Sequence, residues 1–136
     1  MPTATLQWAE KLAAVEVTSR TELETRLLDL AKQSVARPIL ALLTMPDGSV
    51  GHIGLGREES IVFLHGPPGD DGLTEEWIST GQERRKGYTE FFLLGEHHSE
   101  FENRSLLPIG DAIRALSEFF ESGARPAWIR WEENTF

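Results

Sequence analysis

The chain has 136 residues, of which 40% are hydrophobic and 26% charged, a composition typical of one globular domain and not of a disordered chain. It contains no cysteine, which excludes disulfides, thiolate zinc sites and cysteine nucleophiles. The net charge is −9, and residues 66–136 hold 14 of the 22 acidic residues against 7 of the 13 basic ones. Because such a chain repels phosphate backbones, direct binding of nucleic acid is disfavoured.

The N-terminal part of the chain is predicted to form a strand followed by a helix. Between residues 12 and 18 apolar and polar side chains alternate, which indicates a half-buried strand, and Leu6 and Trp8 alternate in the same way upstream. Ser19 is suited to cap a helix, and Glu22 three positions later completes a capping box. The helix is expected to end before the next proline, because the residue preceding a proline is driven out of helical geometry.

The segment after this helix is predicted to form an antiparallel meander of three short strands. Residues 39–45 are almost all apolar, which indicates a central strand covered on both faces. A Pro-Asp-Gly turn leads to a partner strand over residues 50–55, and residues 61–64 form the third strand. Three glycines leave room for close approach by a neighbour or for a bulge: Gly51, Gly54 and Gly56.

Residues 65–87 are predicted to form a long loop, because they are rich in glycine, proline and charge. Long loops inside compact domains are uncommon and are often functional. Glu75, Glu76 and Trp77 stand side by side within this loop. Either Trp77 pins the loop to the core, or it is an exposed aromatic residue flanked by acids, which is the composition of a binding hot spot.

The C-terminal part of the chain is predicted to hold a hairpin and a second helix. Residues 88–94 and 97–102 are expected to form the two strands of the hairpin. An apolar stripe predicts a helix over residues 109–122, and Gly123 is the expected left-handed stop.

A last strand is predicted over residues 128–132, in which Trp128 and Trp131 are expected to face opposite sides of the sheet. One tryptophan is then expected in the core under the second helix, and the other is exposed or covered by the long loop. The complete pattern predicts a single α+β domain over residues 1–136. We expect about 6–7 mostly antiparallel strands with two α-helices, in the order β-α-β-β-β-β-β-α-β.

Sequence patterns typical of enzymes are missing. The close glycines of residues 51–56 stand in a hairpin and not between a strand and a helix, and neither Gly-x-Ser-x-Gly nor Pro-Cys-x-x-Cys occurs. His98 and Glu100 share one strand face and could be approached by His52 or His65, but two ligands do not make a metal site. We therefore predict no catalytic residue, no metal and no cofactor.

The C-terminal third carries a recognisable string of residues in a Pro-led helix, a Glu-Phe-Phe-x-x-Gly-x-x-Pro stop and a Trp-bearing strand. A short Phe-Leu-Leu-Gly motif, which ends at Gly95, precedes it at the hairpin turn. Together the motif residues are Gly95, Pro108, Ala112, Phe119, Phe120, Gly123, Pro126 and Trp131. The string resembles the end of the Imm1 family of bacterial immunity proteins, most clearly over residues 90–132. These residues have structural roles, so they identify the family without marking a binding site.

The resemblance implies a small cytoplasmic protein encoded beside a polymorphic toxin, which it binds and silences. The toxins most often paired with the family are of the deaminase type and act on nucleic-acid bases. A toxin that grips a phosphate backbone needs a basic groove, and an acidic inhibitor can cover such a groove. The implied partner is therefore a basic cognate toxin, bound by a monomer or weak dimer without direct contact to nucleic acid or membrane.

The leading hypothesis is a non-enzymatic immunity protein that blocks its toxin sterically and electrostatically. The residues predicted to bind the partner are Glu75, Glu76, Trp77, Glu96, His98, Glu100 and Glu102. One alternative is an acidic secretion chaperone, usually a dimer. Another is a small-ligand or enzymatic module that uses His52, His65 or His98. The start of the chain lacks the basic and apolar regions of a signal peptide, and no apolar run approaches the ~20 residues of a membrane span, so a cytoplasmic location is expected.

Overall fold

The structure, a computed structural model, describes residues 3–67, 69, 75–82 and 84–133. Within these residues it has the predicted α+β class, with two helices and a mostly antiparallel sheet. The helices are α1 (Arg20–Gln33) and α2 (Ile109–Ser122). The strands in chain order are β1 (Ala4–Gln7), β2 (Val15–Val17), β3 (Ile39–Thr44), β4 (Val50–Leu55), β5 (Glu59–Ser60), β6 (Val62–His65), β7 (Glu76–Thr80), β8 (Tyr88–Leu93), β9 (His97–Glu102), β10 (Leu107–Pro108) and β11 (Arg130–Glu133).

The main sheet has the strand order β11-β7-β6-β4-β3-β1-β2, so β3 is central as predicted. The β8–β9 hairpin joins this sheet through β3, where Ile39 pairs with Phe92 and Leu40 with Leu93 in parallel register. Because β1 pairs only with the later residues of β3, the hairpin and β1 share the same side of that strand. The short strands β5 and β10 form a separate antiparallel pair.

The two helices cover one face of the main sheet. Side chains of β3 and β4 that point to this face, such as Ala41 and Ile53, join the main hydrophobic core together with Leu23 and Leu27 of α1. Gly51 lets α2 approach closely, because a Cβ at this position would lie 2.6 Å from the Leu116 side chain. The first of the three glycines therefore serves helix–sheet packing.

A second, smaller core lies on the opposite face of the sheet. It is built around Phe91 of β8, whose side chain is fully buried against Leu40, Ile61 and Phe63. Gly54 lies under the Phe91 ring, and a Cβ at that position would be 2.6 Å from the ring carbons. The hairpin is thus held over the face of the sheet that the helices leave uncovered.

The N-terminus of α1 has the predicted Ser19 cap. Ser19 has extended backbone geometry, and its hydroxyl accepts a hydrogen bond of 3.1 Å from the Glu22 backbone N–H. We expect Ser19→Ala to lower the free energy of unfolding by about 1 kcal/mol, since one N–H at the helix terminus loses its acceptor. Urea denaturation measures this change, with Thr25→Ala as the control because it removes an exposed hydroxyl inside the same helix. Equal stabilities of the Ser19 variant and the wild type would contradict the assignment of the cap.

The predicted loop over residues 65–87 is wrong in its middle part, where β7 runs between β6 and β11. Residues 68, 70–74 and 83 of that prediction lie outside the described residues. The strand escapes the sequence pattern because Trp77 and Ile78 are adjacent apolar residues that point to opposite faces, so no alternation is visible. Pairing with β6 and β11 on its two edges stabilises β7, although its own sequence has only a weak strand pattern.

Three further differences concern the strands. The first predicted strand begins only at Val15, after a turn in which Leu12 is 51% exposed, and the upstream alternation forms β1. The last strand begins at Arg130, so Trp128 lies in the preceding turn and not opposite Trp131 on a strand. The described residues also contain more strands than the predicted 6–7, because pairs as short as β5–β10 have no periodicity to detect. In the part of the chain that the structure describes, neither helix has the length and apolar character needed to cross a membrane.

Candidate functional site

The sheet face opposite the helices carries a continuous row of side chains across five strands. Register pairs Leu42 with His52, His52 with Phe63, Phe63 with Ile78 and Ile78 with Glu132. Directly paired residues point to the same face of a sheet, so these five side chains form one transverse line. The row is apolar and aromatic at its centre and ends in a carboxylate on β11.

The β8–β9 hairpin turns this sheet face into a groove. A cavity of about 540 Å³ lies between the row and the hairpin, with Leu40 and Phe63 on the sheet side and Leu93 and Phe101 on the hairpin side. Partly buried Leu93, Phe101 and Ile78 pack against the second core, so this core also shapes the groove. We call this cavity the sheet-face groove.

Carboxylates border the sheet-face groove. Those lining it are Glu76, Glu100, Glu102, Glu132 and Glu133. Arg104 forms an ion pair of 3.3 Å with Glu102 and a second one with Glu132, so it offsets part of this charge. The groove therefore combines an apolar floor with a negative rim, which suits a cationic group that carries apolar surface.

Two histidines form the inner end of the groove floor. The rings of His52 and His65 lie 5.1 Å apart, and both contact Phe63 with ring centroids at 5.5 and 4.5 Å. Burial lowers the pKa of His52 to about 4, and repulsion from His65 adds to this effect while a hydrogen bond to the Phe63 carbonyl opposes it. Burial also lowers the pKa of His65, against the attraction of Glu76. Both imidazoles are therefore neutral at pH 7.

The structure brings together three of the seven residues predicted to bind the partner. Glu76, Glu100 and Glu102 all line the sheet-face groove, although Glu76 belongs to β7 and the other two to β9. Glu76 also contacts the floor, because its Oε1 lies 3.1 Å from His65 Nδ1. The loop and the hairpin that the sequence singled out thus meet at one cavity.

Trp77 and Glu75 belong to a different surface. Trp77 points to the helix side of the sheet, where the Arg125 guanidinium lies 3.6 Å from the centre of its ring. Both residues line a cavity of about 570 Å³ beside the C-terminal end of α2. Because Trp77 is half-buried, its position agrees with the interpretation that it anchors this segment to the core.

Glu96 and His98 lie on exposed parts of the hairpin outside the groove. His98 Nε2 is 2.8 Å from the Glu90 carboxylate and 3.8 Å from that of Glu100, so His98 and Glu100 share one face of the hairpin as predicted. Glu96 interacts with Glu10 near the hairpin turn, which raises the pKa of Glu96. Neither residue lines the cavity that holds His52 and His65.

The eight motif residues occupy structural positions. Gly95 and Gly123 have positive φ of 78° and 72°, and Gly123 closes α2. Trp131 packs against the main core and donates from Nε1 to the Pro126 carbonyl at 2.9 Å. The others are Pro108 at the start of α2 and the buried helix residues Ala112, Phe119 and Phe120.

Two further sequence predictions concern metal ligands and the tryptophans of the last strand. The described residues contain no group of three or more His, Asp or Glu side chains arranged to hold a metal ion. Trp128 is 40% exposed, donates from Nε1 to Glu118 at 2.7 Å and lies under the Arg114 guanidinium at 4.2 Å. Of the two, Trp131 is the one that packs against the main core.

Comparison with known protein families identifies the family to which this chain belongs. The family model described as immunity protein Imm1 matches residues 12–133, almost the whole chain. The chain belongs to the Imm1 family of immunity proteins. No curated protein matches the sequence. The match extends the resemblance from the C-terminal third to both helices and to every strand of this Imm1 protein from β2 onward.

Sequence reasoning left out most of the groove floor of this Imm1 protein. The sequence points to His52 and His65 as metal ligands or as residues of a small-ligand or enzymatic module, and it does not single out Phe63, Ile78 or Glu132. The floor residues lie at alternate positions of β4, β6 and β7. Only the strand register shows that these positions align across the sheet.

Proposed function

We propose that the protein binds a cognate bacterial toxin domain through the sheet-face groove and holds it inactive in a stoichiometric complex. Membership of the Imm1 family supports the role of an immunity protein. The observation that carries the choice of surface is the groove itself, whose apolar floor of Phe63 and Ile78 lies inside a rim of carboxylates. Such a combination is typical of the buried centre and polar rim of a protein interface.

The helix face offers less for a partner, because α1 and α2 already cover its core residues. Three of the five groove carboxylates, Glu76, Glu100 and Glu133, have no Arg or Lys ion pair among those described. A basic protein surface would supply the missing cations and would be steered towards this face by the net charge of −9.

We further propose that the toxin acts on nucleic acid, as a deaminase-type enzyme does. An enzyme of this kind needs a basic groove for the phosphate backbone, and an acidic inhibitor that occupies the groove blocks the substrate both sterically and electrostatically. The inhibitor itself carries out no reaction and needs no cofactor in this proposal. It acts in the cytoplasm as a monomer or weak dimer, where a cysteine-free chain needs no oxidising environment.

Charge reversal tests the proposed surface. We expect Glu76→Lys combined with Glu100→Lys to weaken binding to the toxin domain encoded beside this protein by about tenfold or more, because two attractive contacts become repulsive. Isothermal titration calorimetry measures the affinity, and survival of cells that express the toxin measures the protection. Circular dichroism checks that the variant is folded.

The matched control is Glu16→Lys combined with Asp29→Lys, which makes the same change in net charge at exposed positions on β2 and α1. We expect this control to bind within about threefold of the wild type, since the charges lie far from the groove and are screened by salt. If the two double variants bind equally well, the sheet-face groove is not the toxin-binding surface.

A further inference from the structure

The floor of the sheet-face groove holds two buried nitrogens without a hydrogen-bond partner. They are His52 Nδ1 and His65 Nε2, for which the described protein groups offer no donor or acceptor. Buried polar atoms in folded proteins are nearly always paired, so an unpaired one calls for an explanation. Two such atoms on rings 5.1 Å apart indicate a place where an incoming group completes the hydrogen bonds, and because both atoms are covered in the free protein, that group must displace the side chains over them.

The protonation of the rings shows which kind of group is missing. A neutral imidazole has one N–H donor and one bare nitrogen acceptor. His65 Nδ1 lies 3.1 Å from the Glu76 carboxylate, which can only accept, so the proton of His65 is on Nδ1 and Nε2 is an acceptor. A neutral His52 with its proton on Nε2 likewise presents its unpaired Nδ1 as an acceptor.

The other charged groups that line the groove point to the same chemistry. All are carboxylates, with Glu76 nearest to the histidines and Glu100 and Glu133 at the rim. The ring of Phe63 contributes an aromatic surface between the two imidazoles. The best complement to several acceptors around an aromatic ring is a flat cation with several donors, which is a guanidinium and not an ammonium.

We infer that the groove accepts one arginine side chain of the partner protein, whose guanidinium donates to His52 Nδ1, to His65 Nε2 and to the Glu76 carboxylate. The inference rests on the proposed function for the identity of the partner as a toxin. The cavity of about 540 Å³ also leaves room for the aliphatic part of the side chain against Ile78 and Leu93. The arginine would be the anchor of the interface, and the rim carboxylates would hold its basic surroundings.

A small probe tests this inference without the toxin. The chain has four histidines, so the ring signals of His52, His65, His97 and His98 can be assigned with single His→Gln variants and followed by nuclear magnetic resonance. The protein is titrated at pH 7 with N-acetyl-arginine methylamide and, separately, with the uncharged citrulline analogue. We expect the arginine probe to shift the signals of His52 and His65 with saturation at millimolar concentration, and the citrulline analogue to shift none.

His97 and His98 serve as internal controls, because both are exposed on the hairpin beside carboxylates. Equal shifts of all four rings would mean general attraction to an acidic surface and would overturn the inference, as would the absence of any saturable shift. Glu76→Gln and His65→Phe are each expected to weaken probe binding by about tenfold or more. Glu16→Gln, which removes one exposed charge on β2, is expected to leave it unchanged.

The two proposals fail in different ways. If the arginine probe does not bind but charge reversal in the groove still abolishes toxin binding, the arginine anchor is wrong and the proposed function stands. If the probe binds but charge reversal in the groove leaves toxin binding unchanged, the groove is not the toxin-binding surface and that part of the proposed function is wrong.

Discussion

Phe91→Ala is expected to lower the free energy of unfolding by about 3–5 kcal/mol. The Phe91 ring is 0% exposed and fills the second core, where it lies directly over Gly54. Its removal leaves a cavity that the backbone under the ring cannot fill without moving the hairpin. Because Leu93 and Phe101 of the hairpin also line the sheet-face groove, the loss of Phe91 should widen the groove as well.

Phe92→Ala is the matched control in the same strand. The Phe92 ring is only half-buried, and the Arg37 guanidinium covers it at 4.0 Å from the ring centre. We expect this substitution to cost about 1–2 kcal/mol, because less apolar surface returns to water. Urea denaturation with intrinsic tryptophan fluorescence measures both variants. A Phe91 variant no less stable than the Phe92 variant would show that the second core does not hold the hairpin in place.

Acid is expected to destabilise the protein through His52. The pKa of this imidazole is about 4 in the folded protein, mainly because of burial, against an ordinary value of 6.5. Below pH 6.5 the unfolded chain therefore takes up a proton that the folded protein does not, and stability falls until the pH reaches about 4. The difference amounts to about 3 kcal/mol, and the lowered pKa of His65 acts in the same direction.

Urea midpoints measured between pH 7.5 and about pH 4.5 test this expectation against His52→Phe, which keeps a ring but cannot titrate. The variant should lose less stability over this range than the wild type, so the difference between the two curves isolates His52 from the carboxylates. The other charged or titratable groups that line the same cavity are His65, Glu76, Glu100, Glu102, Glu132 and Glu133. The five carboxylates are present in both proteins, whereas His65 loses its repulsion from His52 in the variant. Parallel curves would contradict the assignment of a buried neutral His52.

Local sequence signals predict the helices of this fold well and some of its strands poorly. Helix α2 has the predicted bounds, because an apolar stripe, a leading proline and a terminal glycine all act within one short segment. Strand β7 depends instead on partners distant in the chain, since its neighbours β6 and β11 supply the hydrogen bonds on both sides. Its own residues, with Glu76 before Trp77, favour a loop as much as a strand.

The candidate site can likewise be predicted from the sequence only in part. Composition indicates an acidic binding surface after residue 65, and Glu76, Glu100 and Glu102 meet at the groove that would provide it. The sequence cannot show that Glu76 and Trp77 face opposite sides, because that follows from the strand that the loop prediction missed. The aligned floor residues, such as His52 and Phe63, become visible only with the strand register.

The alternation of side chains along β7 has a consequence for how such an inhibitor can change its target. Glu76 and Ile78 point into the groove, while Trp77 and Ser79 belong to the side that holds the fold together. In the proposed function, substitutions at every second position can therefore change recognition of the toxin, while the intervening positions keep the protein folded. A toxin and its inhibitor can then co-evolve through new contacts on one face of the strand. Selection for toxin specificity acts almost independently of selection for folding.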